Sequence, residues 1–439
     1  NFNQPNVNSI TLNRVIGTEK SVIDGALNAN GQVWILNSNG ILFGKNASVN
    51  TAGLLATTAQ LSDADFQNGN YNFKNSSSNS VINLGTIKVQ NSSYVILAGK
   101  EVNNSGNIEA VKGKVHLVGA DSYSINLNGN SLVNLKVNKG VLDAMVKNSG
   151  NILANGGEIF LTTNAVDELL KGVVNNTGII EANSLDGITG KVELFAHGGE
   201  VQVGGTIEAK DGFVETSGDK VKISDDFRVK ADKWLIDPKD FTIAASGGDI
   251  TGATLSSNLE GTDVEIQSVN GATDGNGDIF VNDTISWNAA TKLTLNAQND
   301  IFINQSITAT NTAGQLALYY GQGAVSSGNT ADYYVKAPIN LKAGDNFFTK
   351  LGSDGSETTW KVITDLGSAG STTGTDLQGI NGNLLGNYVL GADIDASATS
   401  TWNSGAGFKP IGTYFQGNFD GLGHTIDSLF INRSTSAGL

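Results

Sequence analysis

The sequence predicts an all-β fold, a right-handed parallel β-helix in which each coil takes about 22 residues. Three observations lead to this prediction. The 439 residues include 55 Gly but only 4 Pro, and Asn and β-branched residues are abundant, which is typical of short strands divided by tight turns. Short stretches alternate between apolar and polar residues, as half-buried strands do. These stretches also recur at a fixed short spacing, which favours a solenoid over the alternative, a set of β-sandwiches.

The repeat is visible in two sets of segments. The pattern Asn-x-Gly-x-Ile occurs at residues 104–108, 148–152 and 176–180, and Asp278-Ile-Phe-Val recurs as Asp300-Ile-Phe-Ile. A single unit of this size cannot bury its apolar side, so successive coils must stack, roughly 4.8 Å apart, to form a shared core. Gly and Asn are expected at the corners because both tolerate positive φ, and stacked Asn residues are expected to form side-chain ladders.

Two stretches break the period and are expected to project from the coils. Tyr123 to Val146 contains the turn sequences Leu-Asn-Gly-Asn and Asn-Lys-Gly, which predict a hairpin. Residues 164–172 predict a short helix, with Asn164 as the N-cap, acidic residues in the first turn and Gly172 just past the end. Insertions of this kind commonly leave a solenoid as loops.

Charge and composition exclude several classes of function. The formal net charge is -15, from 27 basic and 42 acidic residues, and no basic run occurs, so nucleic acid and anionic membranes are not expected as partners. The absence of Cys excludes disulfides and thiolate metal sites and suits export through an oxidising compartment. No apolar stretch approaches the roughly 20 residues of a membrane helix, so membrane insertion is not expected.

The sequence does not predict a catalytic or metal-binding role. His116 occupies a strand position equivalent to Glu193 and is expected to be an outward ladder residue; His197 and His424 are likewise expected to be structural. Paired carboxylates are the groups that glycosidases use, but on a β-helix they are expected to be solvated turns; the pairs are Asp225/Asp226 and Asp393/Asp395. The stretch 274–278 resembles a calcium-binding repeat, occurs once, and is expected to be a polar turn. No catalytic, cofactor-binding or metal-binding residue is therefore predicted.

Two blocks resemble the two-partner secretion domain of filamentous haemagglutinin and the high-molecular-weight adhesins. The first is Phe2-Asn-Gln-Pro5 followed by Ile10-Thr-Leu-Asn13-Arg14-Val15, and the second is the stretch from Gly31 to Gly44. The second block matches the family's Asn-Pro-Asn-Gly-Ile motif except that Ser38 replaces Pro, and Ser also favours turns. The family's earlier Asn-Pro-Asn-Leu motif has no clear match. The resemblance implies a secretion motif, acting in partner recognition or in stability of the cap, that consists of Asn13, Arg14, Asn37, Ser38, Asn39, Gly40 and Ile41.

The resemblance implies an exported surface protein, with an adhesin expected first. In the family, POTRA domains of an outer-membrane transporter recognise the secretion domain in the periplasm, and the chain folds outside the cell. A monomeric fibre without a cofactor is expected, with a host-cell receptor or a glycan as a further partner. The alternatives are the stalk of a contact-dependent toxin or a nutrient-capture protein, and a β-helical enzyme acting on polysaccharides.

Four segments are expected along the chain. The secretion domain spans 1–243 and begins inside the family's domain, and further β-helical coils span 244–363. A Gly/Ser/Thr-rich linker or loop spans 364–383. The segment 384–439 resembles an incomplete GLUG repeat, with Phe415-Gln-Gly-Asn-Phe-Asp-Gly421 followed by Gly423-His-Thr-Ile426.

Overall fold

The computed structural model describes residues 1–164, 172–269, 275–412 and 414–433. The chain divides into two compact units, Asn1–Pro238 and Lys239–Leu439. Strands dominate both units, because β-branched residues and alternating polarity favour extended backbone. The predicted domain boundaries at 243, 363 and 383 remain predictions.

Three parallel faces build the first unit, and successive strands of each face come from successive coils. The strands of the first face are Ile10–Arg14, Gln32–Leu36, Gly53–Thr57, Tyr94–Gly99, Lys114–Gly119 and Glu158–Asn164. Those of the second face are Ser21–Ile23, Ile41–Phe43, Ser80–Asn83, Glu101–Asn104, Met145–Asn148 and Val173–Asn176. Those of the third face are Ala26–Asn28, Ser48–Thr51, Thr86–Val89, Asn107–Glu109, Asn151–Leu153 and Ile179–Glu181.

The last coils of the first unit are formed by long strands that continue through the corners. Lys191–Val203, Thr206–Ile223 and Arg228–Asp237 each contribute to more than one face. Within the longest of these strands, Thr206 lies beside Arg228 and Phe213 lies beside Lys233, both in parallel register. Stacked parallel strands on three faces confirm the predicted parallel β-helix.

Alternation of the side chains creates the core. Val33, Leu54, Val95 and Val115 lie in register on consecutive coils of the first face and are fully buried. Each fully buried Val or Leu side chain contributes roughly 1.5–3 kcal/mol. The column continues along the unit, so every coil depends on its neighbours for this contribution.

A ladder of buried asparagines runs along the end of the second face, as expected from the repeat. The Nδ2 of Asn83 donates to Oδ1 of Asn104 at 2.7 Å, Asn104 donates to Asn148 at 2.8 Å, and Asn148 donates to Asn176 at 2.8 Å. Asn176 ends the ladder at the Gly204 carbonyl, at 2.9 Å. The four side chains are fully buried, so each amide depends on its neighbours for hydrogen bonds.

Replacing Asn104 with alanine is expected to lower the free energy of unfolding by about 2–3 kcal/mol, because the buried amides of Asn83 and Asn148 each lose a partner. The matched control is Asn107→Ala, since Asn107 also pairs with a stacked asparagine, Asn151, but lies exposed. The control is expected to change stability by less than about 0.5 kcal/mol. Urea denaturation followed by circular dichroism measures both; equal losses would show that burial does not set the ladder's contribution.

The repeated glycines are required for a reason different from the one expected. Positive φ was expected at these corners, but Gly106, Gly150 and Gly178 have no positive φ, so that expectation is wrong for them. A Cβ built on Gly150 would lie 2.0 Å from the carbonyl oxygen of Gly106 in the coil below. Close approach of stacked backbones therefore explains these glycines.

An excursion covers the outer side of the first face. It comprises a short helix, Asp63–Gln67, and an antiparallel sheet of strands Asn72–Phe73, Ser122–Asn128 and Ser131–Lys139. The last two strands are the predicted hairpin, which is confirmed, whereas the helix was not predicted at this place. The helix predicted at 164–172 has its interior, residues 165–171, outside the described residues.

The second unit also stacks parallel strands, with Ile279 beside Ile301 and Leu293 beside Leu316 in neighbouring coils. A carboxylate closes one turn between coils: Oδ1 of Asp240 accepts the backbone N–H groups of Asn276, Gly277 and Asp278, at 2.8–2.9 Å. The described part of the 274–278 stretch is thus a polar turn; Asp274 lies outside the described residues. The strands up to residue 363 are Phe241–Ile243, Asp263–Ser268, Ile279–Val281, Ile285–Trp287, Lys292–Ala297, Ile301–Ile303, Ile307–Ala309, Gln315–Tyr320, Tyr333–Val335, Ile339–Asn340, Gly344–Leu351 and Thr358–Ile363, with helix Gly252–Leu259.

The end of the second unit has a longer repeat, in which Asn387 lies beside Asn418 and Ile394 beside Ile426. Within the predicted linker, Leu377 and Ile380 are buried in a small apolar core with Phe408. The GLUG-like assignment remains a prediction. The elements here are 3-10 helices Gln378–Gly382 and Ser397–Gly405 and strands Asn387–Leu390, Ile394–Asp395, Asn418–Asp420 and Ile426–Asp427.

Candidate functional site

The central part of the predicted secretion motif forms one tight corner of the first unit. Residues 37–40 join the first-face strand Gln32–Leu36 to the second-face strand Ile41–Phe43. The backbone N–H of Gly40 donates to the carbonyl of Asn37 at 3.1 Å, and Gly40 has a φ of 100°. Asn at the first position and Gly at the fourth suit a type I turn, and the φ of Gly40 strongly favours glycine.

The Asn37 side chain is buried and joins this corner to the preceding coil. Its Nδ2 donates to the Glu19 carbonyl at 3.0 Å and to Ser21 Oγ at 2.9 Å, while its Oδ1 accepts from the backbone N–H of Asn39 at 2.9 Å. These contacts use both the donor and the acceptor side of the amide. Asn37 therefore acts as an internal cross-link between two coils.

The neighbouring motif residues extend this network in both directions. Asn39 Nδ2 donates to the Gly17 carbonyl at 2.7 Å. On the other side, the Ser38 carbonyl accepts from Ser77 Oγ at 2.5 Å and from Asn79 Nδ2 at 2.8 Å. Ile41 turns inward and is buried. The corner thus connects three successive levels of the chain.

One consequence of this network is the presentation of the loop at residues 15–20. Its carbonyls at Gly17 and Glu19 are held by Asn39 and Asn37, but the side chain of Ile16 is 95% exposed. An isoleucine held in water on a fixed loop offers apolar surface to a partner, although single exposed apolar residues are also common on monomers. The loop was not identified from the sequence; its signal there is an apolar Val-Ile pair followed by Gly17.

Asn13 and Arg14 lie on the first-face strand Ile10–Arg14 and contact other parts of the unit. Asn13 Nδ2 donates to the Trp34 carbonyl at 3.2 Å. The guanidinium of Arg14 donates to Asp63 at 2.6 Å and to the Leu61 carbonyl. Because Asp63 is exposed, the ion pair contributes little, of the order of 0–1 kcal/mol, and the fixed carbonyl contact orients the start of helix Asp63–Gln67.

A buried aromatic cluster beside Arg14 was missed at the sequence level. Trp34 Nε1 donates to Tyr94 Oη at 2.7 Å, and that hydroxyl donates to Gln32 Oε1 at 2.6 Å. Trp34 also contacts the rings of Tyr71 and Phe73, with centroids 4.8 and 5.7 Å away. Burial raises the pKa of Tyr94. The signal in the sequence was the unbroken apolar run Val33–Leu36, because a strand that is apolar on both sides is expected to be covered on both sides.

His116 has the outward position that the sequence predicted, since it lies in register with Phe160, which lies in register with Glu193. It does not face open solvent, because the hairpin covers it. Desolvation by this burial lowers the pKa of His116 to about 3, so the imidazole is neutral at physiological pH.

His424 is held structurally. Its Nδ1 lies 3.2 Å from Asp393 Oδ1, and its Nε2 lies 2.9 Å from the Ile339 carbonyl. Within the described ranges, no group of three or more His, Cys, Asp or Glu residues is placed to hold a metal ion.

Replacing Ser38 with proline is expected to raise the free energy of unfolding by about 0.4–1 kcal/mol, because proline suits the second position of a type I turn and restricts the unfolded chain. The Ser38 carbonyl, which makes the observed contacts, is retained. Differential scanning calorimetry measures the change against an Asn39→Pro control, which is expected to be destabilised because proline is disfavoured at the third position. A lower Tm for Ser38→Pro would contradict the turn assignment.

Residues 1–209 match the family described as the TPS secretion domain. The chain is 33% identical over 230 residues to a heme/hemopexin-binding protein of Haemophilus influenzae, which covers 51% of this chain and 25% of that protein. A second heme/hemopexin-binding protein of that species is 30% identical over 217 residues, covering 44% and 23%. The chain thus spans about a quarter of the length of these curated relatives.

Among solved structures, the HMW1 secretion domain from Haemophilus influenzae superimposes with a TM-score of 0.53, 23% identity, and coverage of 77% of this chain and 86% of that one. This likeness shows the fold alone. The matches are to a secretion domain and to heme/hemopexin-binding proteins rather than to an enzyme family. Among the described residues, no helix has the length and apolar character that crossing a membrane requires. Residues 1–209 of this chain are therefore a secretion domain of the two-partner type, part of a protein exported to the cell surface or the extracellular space.

Proposed function

We propose that the POTRA domains of an outer-membrane transporter recognise residues 1–209 in the periplasm and that the chain folds as it emerges outside the cell. The observation that supports this order of events is the coil-by-coil pairing of the first unit, in which each strand pairs with strands of adjacent coils. A solenoid of this kind folds by local addition, because each completed coil provides the edge for the next. Release of folding free energy outside the cell then opposes backward movement.

Within this function, the motif corner stabilises the first coils and fixes the 15–20 loop. Asn37 and Ile41 are buried in the folded coils, which supports a role of these side chains in stabilising the coils once they form. The Ile16 side chain is 95% exposed in the folded coils, so folding does not require it, and we assign it to recognition by the transporter before the chain folds. The motif was expected to act in partner recognition or in stability of the cap. In this proposal, its buried side chains stabilise the coils, and the 15–20 loop that they hold in the folded coils takes part in recognition.

The test is export of the chain with its cognate transporter, comparing Asn37→Ala, Ile16→Asp and the unchanged protein. Asn37→Ala is expected to reduce the secreted amount at least tenfold, because loss of several buried hydrogen bonds costs about 2–3 kcal/mol in the nucleating coils. Ile16→Asp is expected to reduce export while leaving the Tm of the purified chain unchanged. Quantitative immunoblotting of medium and periplasm measures export.

Asn91→Ala is the control, because this asparagine is exposed at another corner, and its export is expected to be normal. Normal export of Asn37→Ala together with an unchanged Tm would contradict the stabilising role. Normal export of Ile16→Asp would remove the loop from transporter recognition without affecting the rest of the proposal.

For the whole protein, we propose nutrient capture, with haem or the haem carrier haemopexin as the ligand. Two relatives carrying that binding function in their names, at 33% and 30% identity, favour it. The adhesin function remains the competing prediction, and a non-catalytic role is part of the proposal. Surface plasmon resonance of the secreted full-length protein on immobilised haem–haemopexin and on haem-loaded albumin provides the test, with haem-free albumin as the control. Absence of binding to haem and haemopexin, combined with adherence to host cells, would favour the adhesin instead.

A further inference from the structure

A cavity of about 440 Å³ lies between the first face and the covering hairpin. Its floor contains His116 and Phe160, whose rings stack with centroids 4.5 Å apart. Residues 133–137 of strand Ser131–Lys139 form one wall, and Glu158 and Glu193 contribute to the rest. The cavity belongs to the first unit, and nothing in the secretion motif uses it.

The strand that forms the wall has a free edge. Among the described residues, Ser131–Lys139 pairs with Ser122–Asn128 and with no other strand. Ile125 lies opposite Leu135, yet its N–H donates to the Tyr71 carbonyl on the other side of the hairpin. In an antiparallel pair, opposite residues that do not bond each other direct their backbone groups away from the shared side. The N–H and C=O of Leu135 therefore face the cavity.

A contact two residues earlier uses part of this edge. Lys114 Nζ, which lines the cavity, donates to the Val133 carbonyl at 3.2 Å. Val133 lies where the hairpin pairing shifts register, and its carbonyl is already bonded by Lys114. Leu135 and Val137 lie on the regular part of the strand, where alternate residues present their backbone groups to the same side. Unpaired backbone groups along a strand edge are a template for pairing with another chain.

The floor of the cavity contains a polar group without a protein partner. His116 is 7% exposed, and its Nε2 is buried without a hydrogen bond in the part of the chain that the structure describes. Buried polar atoms are nearly always hydrogen-bonded, so an orphaned imidazole nitrogen beside a cavity calls for a ligand or a bound water. In a neutral imidazole this nitrogen is a donor or an acceptor, depending on the tautomer, so it can bond either kind of ligand group.

The charges around the cavity determine what it accepts. Lys114 pairs with Glu158 at 3.3 Å, and Lys191 pairs with Glu193 at 2.8 Å. Lys136, also in the wall, has no ion pair within the described ranges. The charged residues that line the cavity, Lys114 and Lys136 against Glu158 and Glu193, therefore balance in number, and Lys136 is the cation among them whose ammonium group is left for a ligand.

We propose that this cavity binds an extended, acidic peptide segment of another protein by strand addition to the edge at residues 133–137. The peptide backbone pairs with the free groups of Leu135, a carboxylate of the peptide lies near Lys136, and a polar group of the peptide bonds His116. A peptide is favoured over a glycan because a strand edge presents alternating donors and acceptors that match another backbone. The site goes beyond the secretion function and does not depend on it.

The experiment selects peptides from a random heptapeptide phage library on the full chain and measures synthetic versions by fluorescence anisotropy. Selected peptides are expected to contain Asp or Glu, and Leu135→Pro is expected to weaken their binding at least tenfold, because proline removes the N–H that faces the cavity. Leu135→Ala is the matched control: it removes more side chain but keeps the N–H, so binding is expected to stay within threefold. His116→Phe keeps the ring stack and is expected to weaken binding at least threefold.

A second measurement keeps the proposal falsifiable if Leu135→Pro does not fold. Peptides methylated on alternate backbone nitrogens cannot pair with the edge, and they are expected to bind the unchanged protein at least tenfold more weakly. The proposal is overturned if no peptide is enriched, if backbone methylation has no effect, or if a glycan array identifies a sugar that binds here while the peptides do not.

Discussion

Replacing Gly150 with alanine is expected to lower the free energy of unfolding by about 3 kcal/mol, near the upper end for overpacking. The added Cβ would lie 2.0 Å from the Gly106 carbonyl oxygen, 2.8 Å from the Ser105 carbonyl carbon and 2.9 Å from the Gly106 nitrogen. All three atoms belong to the backbone of the coil below, so no side-chain rotation can relieve the contact. The two coils must separate locally, and the hydrogen bonds that connect them weaken.

Gly25→Ala is the matched control in the same unit. Nothing lies within 4 Å of a Cβ built there, and φ is not positive, so the change is expected to stay within about 0.5 kcal/mol. Urea denaturation monitored by circular dichroism, together with hydrogen exchange of the 148–152 segment, measures both variants. Equal stability of the two variants would show that the coils are not packed at this spacing.

Replacing Trp34 with alanine is expected to cost about 4 kcal/mol, the centre of the range for a large aromatic side chain lost from a core. The fully buried ring packs between the first face and the excursion, and it contacts Phe66, Tyr71 and Phe73. Its loss also leaves the Tyr94 hydroxyl without the Trp34 donor. We expect helix Asp63–Gln67 to detach, since a helix of one turn is not stable without packing.

Trp34→Phe separates the two contributions. It keeps most of the apolar contact and removes the indole N–H, so a loss of about 1–2 kcal/mol is expected. Thermal unfolding measures overall stability, and limited proteolysis at residues 61–79 reports on the excursion. If Trp34→Ala left that segment protected, the helix would have to be held mainly by Arg14, through its contacts to Asp63 and Leu61.

The stacking of the coils was predictable from repeated residues. The spacing between Asp278 and Asp300 gives the register that pairs Ile279 with Ile301. In a solenoid, a fixed sequence period corresponds directly to a neighbour in space, so local sequence is sufficient for such a contact. The repeated asparagines predict a ladder, but Asn104 and Asn148 are 44 residues apart, which the period interprets as two coils. They lie in neighbouring coils because the hairpin is inserted between them.

The role of the motif corner was only partly predictable. The sequence located Asn37–Gly40 as a turn, because Asn and Gly have strong local preferences for such positions. It did not reveal that Asn37 bonds Glu19 and Ser21, since those partners are selected by the stacking of the preceding coil. Arg14 was grouped with the same motif, but its contacts are with residues at the start of the excursion.

The sequence by itself determined the fold class, the coil period, the hairpin and the corner, because each depends on local preference or on an evenly repeated pattern. Only the tertiary structure decided that the hairpin folds over the first face, that His116 is buried beneath it, and that a short helix docks on Trp34. Those contacts join segments with no shared period, and they form because the outer apolar side of the first face must be covered. Side-chain packing between unrelated segments, rather than backbone preference, selects such contacts.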